Sequence, residues 1–300
     1  MLRIAAFSSA LVISGAALAA DLPSSKGPPV APPSTACLEK NAVPIDAFGF
    51  NVGTDTNDYG ALSGSLQYNG AYGTRFGGFN GHTATGQISY GLLPCLEIGP
   101  YLVGGGASNN GALGVGNGSF FGGGVEAKYK LLGRDTHGVG LTFDVLIQGL
   151  ANNGDLYAPT KSTFDVIPAI FIDKELISGK LYGALNVSYD FGFVDKTIAP
   201  LPKDYGVLRL GAALSYQLVD GFFIGADINH YRKYIGGDEA GYATMLGPNF
   251  YWQATPKFAV TAAYNVQVAG KTTYLGGVPG RLDLVNFNQH LLKVKLTYSF

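Results

Sequence analysis

From residue 288 to residue 300 the chain reads NQHLLKVKLTYSF, and apolar side chains fall at every second position. Leu292, Val294, Leu296, Tyr298 and Phe300 alternate with Lys293, Lys295, Thr297 and Ser299. Successive residues of a strand point to opposite faces, so this stretch predicts a strand with one apolar and one polar face. The same period predicts strands over 84–92, 96–104, 119–131, 139–150, 163–173, 180–193, 205–218, 222–234, 242–254 and 257–269. Short turns at 93–94, 133–137, 175–179, 219–220 and 255–256 alternate with longer, Gly/Asn-rich stretches at 105–118, 151–161, 194–203, 235–241 and 270–286. Prolines Pro100, Pro168 and Pro248 fall inside these strands, where each predicts a bulge.

The final strand and the ten before it make an odd number, whereas an up-and-down barrel whose ends share one rim needs an even one. Two earlier segments also alternate. In 59–72, Leu62, Gly64, Leu66 and Tyr68 interleave with Ser63, Ser65, Gln67 and Asn69; in 45–54 the apolar positions are Phe48, Phe50 and Val52. The first is the better strand, and counting both breaks parity. The expectation is therefore an all-β, antiparallel up-and-down barrel of about 12 strands, with one segment outside the ladder or merged across a bend; 14 strands is the alternative.

The phase of the alternation separates two faces. Val125, Ala127, Tyr129 and Leu131 oppose Glu126, Lys128 and Lys130, and Leu181, Leu185, Val187, Tyr189 and Phe191 oppose Asn186, Ser188 and Asp190. A charge on a lipid-facing strand position costs about 2–4 kcal/mol at the bilayer midplane, which sends the polar set inward. Aromatic residues near strand ends, Phe164, Tyr216, Tyr234, Phe250, Trp252 and Phe258, suit interfacial girdles.

Composition narrows the choice. Only 14% of residues are charged, 47% are hydrophobic, and 44 are glycine. Soluble domains carry about 25% charged residues, yet no run of about 18 apolar residues follows the first twenty. A membrane protein without helical spans must close its sheet, because open edges cannot face lipid. A net charge of -1 offers no electrostatic basis for nucleic-acid binding. The glycine clusters at 104–106 and 122–124 lack the helix and Lys-Ser/Thr of a phosphate loop.

The first nineteen residues read as an export signal: Arg3, an uncharged core from Ile4 to Leu18, then Ala17-Leu18-Ala19. Residues 20–43 form a leader whose Pro/Ser/Gly-rich run from Asp21 to Thr35 has little to bury, and 44–300 form the barrel. Cys37 and Cys95 are the two cysteines of the chain, and an oxidising compartment makes a disulfide their leading reading, pinning the leader to the first periplasmic turn. Neither has the further ligands a metal site needs.

Three stretches carry family resemblances. The terminal aromatics Tyr298 and Phe300 resemble the closing strand of bacterial outer-membrane β-barrels, which implies that both act as an assembly signal read by the barrel assembly machinery; Lys295 stands where that pattern usually has glycine. Ala20-Asp21-Leu22-Pro23 with the paired prolines after it resembles the mature start of small outer-membrane porin-family proteins of alphaproteobacteria. The hairpin Ser89-Tyr90-Gly91-Leu92-Leu93-Pro94-Cys95-Leu96-Glu97-Ile98-Gly99, with a weaker version at 214–225, is similar to outer-membrane transporters of the phenol-degradation meta-pathway type. That resemblance implies a Gram-negative outer membrane, contact with its lipids, and uptake of small, apolar compounds.

The inward polar groups are the functional candidates: Glu97, Glu126, Lys128, Lys130, Asp144, Asp165, Asp190, Arg209, Asp227, Lys293 and Lys295. Both signs occur in similar numbers, so the pattern fixes no ion preference, and opposite charges can pair across the interior and close it. Twelve strands lie between the side-chain-filled eight and the open sixteen. The reading is a passive channel or transporter for small solutes, the alternative a structural or surface-exposed envelope protein. The least favoured is a lipid-modifying enzyme, because His230 and His290 point outward with no serine predicted beside them. No catalytic, cofactor or metal residues are assigned, and the oligomeric state is left open. His82 and His137 fall in predicted loops or turns.

Overall fold

The computed structural model describes residue 44 and residues 46–300, except 75–76, 112–113, 155–160, 196–201 and 274–279. Among the described residues it is a closed antiparallel barrel of twelve strands, each paired with its sequence neighbours and β1 closed against β12. The strands are β1 Leu62–Thr74, β2 Gly77–Leu93, β3 Leu96–Gly111, β4 Gly114–Leu132, β5 Gly140–Asn153 and β6 Ser162–Ile177. They continue with β7 Leu181–Val194, β8 Asp204–Val219, β9 Phe222–Ile235, β10 Asp238–Thr255, β11 Phe258–Thr272 and β12 His290–Ser299. A single helical turn, α1 Arg134–His137, joins β4 to β5. No described helix is long and apolar enough to cross a membrane; the crossing is made by strands.

Ser63 lies opposite Ser299, so both ends of the ladder share one rim. The short connections β2–β3, β6–β7, β8–β9 and β10–β11 and the α1 connection lie there too, while the long connections after β5, β7 and β11 lie at the other. In outer-membrane barrels the short-turn rim is periplasmic.

Alternation sorts side chains as the period requires. On β4, Val125, Tyr129 and Leu131 are exposed on the outer face while Lys128 and Lys130 are buried within. Phe164, Tyr216, Phe250 and Trp252 also point outward near strand ends. This apolar belt around a closed ladder places the protein in the outer membrane.

Three sequence expectations are corrected. Residues 105–118 form no long loop: β3 and β4 pair continuously from Leu96↔Tyr129 to Gly111↔Gly114, because main-chain pairing along a glycine-rich ribbon needs no side chains. Residues 235–241 likewise shrink to a two-residue turn, Gly236-Gly237, whose positive φ angles (59° and 89°) a type I′ hairpin demands. Pro100, Pro168 and Pro248 shift no register. Each pairs in step on one side, and on its other side the ladder skips two residues and resumes in the same register, as at Gln87↔Tyr101 and Tyr90↔Ile98. Losing one N–H costs a ladder bond without needing an extra residue.

Candidate functional site: a segment threaded through the barrel

The segment 45–54, which competed with 59–72 for a place in the ladder, lies inside the barrel over its described residues 46–54. Residue 44 and residues 46–58 run through the lumen before β1, and Ala47, Phe48, Asn51 and Thr54 are fully buried there. A turn starts the segment: Ala47 N–H donates to the Pro44 carbonyl (2.9 Å) and Asn51 N–H to the Phe48 carbonyl (3.1 Å). Ala47 and Phe48 form an apolar knob against Tyr182, Ala184, Ala213, Phe223, Tyr251 and Ala259, all inward-facing.

Beyond the knob the segment sweeps the inner circumference, meeting the strands in descending order. Lys295 on β12 donates to the Asp46 carboxylate at 2.9 Å, and Lys293, one turn of the pleat away, donates to the Gly49 carbonyl at 2.7 Å. On β9, Asp227 accepts from Phe50 N–H (3.3 Å); on β8, Arg209 donates to the Phe50 carbonyl. Asn51 donates to the Ala212 carbonyl, and Asn186 on β7 clasps Val52 from both sides, accepting from its N–H (2.6 Å) and donating to its carbonyl (2.9 Å). On β6, Asp173 accepts from Thr54 N–H and Oγ1 at 2.7 and 2.9 Å. Finally Asn57 N–H reaches Glu97 on β3 at 2.7 Å.

The strongest knot joins Arg134, Asp173, Asp55 and Lys130. The Arg134 guanidinium donates to Asp173 and Asp55, both at 2.6 Å, and Lys130 donates to Asp55 at 2.7 Å. Thr142 Oγ1 closes the knot by donating to the Thr54 carbonyl. Burial opposes charge on the Arg134 guanidinium, but Asp55 and Asp173 outweigh it and raise its pKa. Burial likewise opposes charge on Asp46, where Lys295 and Lys293 prevail and hold the carboxyl below its ordinary 3.8.

Two glycines make room for the segment. Gly49 has φ +69°, which a side chain rarely adopts, and a Cβ there would stand 2.6 Å from that of Asn249. A Cβ on Gly211 of β8 would strike the Asn51 amide.

The eleven sequence-derived candidates all lie on the inward-facing set, in three groups. Glu97, Lys130, Arg209, Asp227, Lys293 and Lys295 hold the lumen segment directly. Lys128 bridges Glu126 (3.0 Å) and Glu97 (3.5 Å), and Glu126 also accepts from Gln87. Asp144, Asp165 and Asp190 stand on β5 to β7. Asp165 accepts from Gln148 (2.9 Å) and Tyr205, whereas one carboxylate oxygen each of Asp144 and Asp190 is buried with no hydrogen-bond partner among the described residues. Sequence reasoning missed Asp46, Asp55 and Arg134, which lie outside the predicted ladder, and Asp173, which closes the predicted strand 163–173 in phase with Asp165.

Toward the long-loop rim, a cavity of about 320 Å³ opens above the segment, lined by Phe50, Phe79, Phe120, Tyr231 and Leu291. Phe287, from the β11–β12 connection, packs its ring 6.0 Å from that of Tyr231. This vestibule is aromatic, and Phe50 of the lumen turn lines it.

On the outer face, His230 lies beside Thr244 (3.0 Å) and His290 beside the Tyr264 hydroxyl (2.8 Å). No serine is bonded to either ring among the described residues. His82 lies on β2, not in a loop, against the Tyr68 hydroxyl; His137 ends α1. No described group of three or more His, Cys, Asp or Glu is arranged to hold a metal. Cys95 sits in the β2–β3 turn with φ 69°, and Cys37 lies outside the described residues.

Comparison with solved structures places the fold. The COG4313 outer membrane channel from Pseudomonas putida F1 superposes with TM-score 0.56 at 14% identity, over 82% of this chain and 98% of that one. The beta domain of the Bordetella autotransporter BrkA gives 0.55 at 11% identity, over 81% and 100%. No curated protein is recognisably similar in sequence. Residues 45–300 match the model of a family of unknown function, DUF6662, and the chain belongs to that family.

Proposed function

We propose that the protein is a passive outer-membrane channel for small solutes whose closed state is the lumen segment 44–58. The carrying observation is the kind of attachment: the segment is held by side-chain hydrogen bonds and ion pairs to the wall rather than by ladder pairing, so it can leave without opening the barrel. The aromatic vestibule above it suits small apolar solutes, in keeping with the resemblance of the 89–99 hairpin to phenol-degradation-type transporters.

Export by residues 1–19, a periplasmic leader at 20–43, a Cys37–Cys95 disulfide and assembly through Tyr298 and Phe300 belong to the same proposal. The bridge would tether the leader to the β2–β3 turn, at the rim from which the segment enters. The density of bonds around Arg134 favours a second reading, a structural envelope barrel that never opens.

Liposome uptake of the mature protein decides between them. Permeation of small solutes with a sharp size limit supports the channel. Liposomes as tight as protein-free controls, with the barrel verified as folded, support the structural reading.

A further inference from the structure

Four inward cations have a carboxylate within 3.5 Å: Lys128, Lys130, Arg134 and Lys295. Arg209 and Lys293 have none within ion-pair distance among the described residues. Both are instead tied to two consecutive main-chain carbonyls of the lumen segment. Lys293, only 6% exposed, donates to Gly49, and Arg209 donates to Phe50 while its guanidinium is braced by Asn229 Oδ1 at 2.8 and 3.0 Å.

A buried cation is costly without an anion, and a neutral carbonyl compensates less than a carboxylate does. The neighbouring carboxylate, Asp227, is committed elsewhere, accepting from Asn229 (2.7 Å), Asn265 (2.6 Å) and Phe50 N–H (3.3 Å). With Lys295 and Asp46 counted, three cations face two carboxylates, a local excess of one positive charge. Asp46 is engaged by Lys295, and Asp144, Asp165 and Asp190 stand on β5 to β7.

Neither cation lines the vestibule itself, but each stands next to a residue that does. Arg209 lies 5.9 Å from the Tyr231 ring, its register partner on β9, and Lys293 follows Leu291 on the inner face of β12. Tyr231 and Leu291 line the vestibule, and so does Phe50. Lys233, two residues from Tyr231 on the same face of β9, adds a further cation with no ion pair among the described residues.

We propose that Arg209 and Lys293 form a binding site for the carboxylate of a small organic acid with an apolar body, and that the Gly49 and Phe50 carbonyls occupy this site in the closed state. The aromatic vestibule takes the apolar body, and the cation pair takes the charge. Solute and lumen segment then compete for the same two donors, so binding favours the state in which the turn at 46–50 has left. The gating half of this inference rests on the channel reading; the binding half does not.

The test is calorimetric titration of the detergent-solubilised mature protein with benzoate and with its neutral counterpart benzyl alcohol, alongside conductance in planar bilayers. Benzoate is expected to bind at least about tenfold more tightly than benzyl alcohol, and Arg209→Gln or Lys293→Gln to remove that preference while Arg209→Lys restores part of it. Equal affinity for the two probes overturns the site. So do glutamine variants that open more often yet keep the native benzoate affinity, which would make both cations anchors of the segment alone. Benzoate binding without conductance in any condition upholds the site and sinks the channel reading; conductance without discrimination does the reverse.

Discussion

The Arg134 guanidinium meets the Asp173 carboxylate at 2.6 Å, joining the helical turn after β4 to the wall of β6 beneath the lumen segment. The contact is nearly dry, with side-chain exposures of 5% and 1%. It also fixes Thr54, which shares Asp173, and Asp55, which shares Arg134. Breaking a buried pair by removing one partner costs about 3–5 kcal/mol, because the other charge is left uncompensated. Arg134→Gln should therefore free the segment around Thr54 more than it weakens the barrel. Amide exchange at residues 52–56 should accelerate by at least about a hundredfold while the strands stay protected. Protection of 52–56 at the native level would show that the knot does not hold the segment.

Gly49→Ala tests the turn. Its φ of +69° costs a side chain about 1–2 kcal/mol, and the Asp227 and Asn249 side chains leave no space for a Cβ. The variant should form a folded, heat-modifiable barrel whose segment is cleaved by added protease faster than the native one. Equal cleavage rates would contradict the placement of the turn.

How much of this was legible in the chain depends on what a local pattern can encode. Alternation at 288–300 gave the last strand, its faces and, through parity, the strand number, because strand geometry is written in adjacent residues. The lumen segment was only half visible. Phe48, Phe50 and Val52 alternate like a strand, and the polar run from Asn51 to Asp58 has no period at all. Its burial is decided by partners far along the chain: Asp227 lies 177 residues from Phe50, and Asp173 lies 119 from Thr54. The continuation of β3 and β4 through 105–118 was hidden for a different reason, since glycine carries no side-chain signal for a pairing made entirely by the main chain.

The belt predicts an asymmetry between faces. Leu185 is 56% exposed on the outer wall of β7, next to the fully inward Asn186. Leu185→Arg should lower folding stability in lipid vesicles by about 2–4 kcal/mol, as charge at lipid-facing depth does. Asn186→Ala, by contrast, should spare the barrel and loosen Val52. A tolerated arginine at 185 would invert the assignment of faces.

Acid should act on the segment through Asp46 in a defined direction. Its carboxyl is held below 3.8 in the folded chain by Lys295 and Lys293, so its contribution is complete above 3.8 and is lost as pH falls through the lower folded value. Asp55, whose carboxyl burial pushes up, titrates in the opposite sense, so comparison with Asp46→Asn isolates Asp46. Segment protection in the native chain should exceed that in the variant from pH 7 to about 4 and converge with it below that. A constant difference down to pH 2 would remove Asp46 from the account.

The most direct measurement is planar-bilayer conductance of the mature chain beside a variant lacking residues 44–58, with each barrel first verified as folded by heat-modifiable migration. Occlusion by the segment predicts small, intermittent currents from the intact chain and a larger, steady conductance from the variant. Two equally silent barrels would contradict it, and would leave the lumen closed by its own wall.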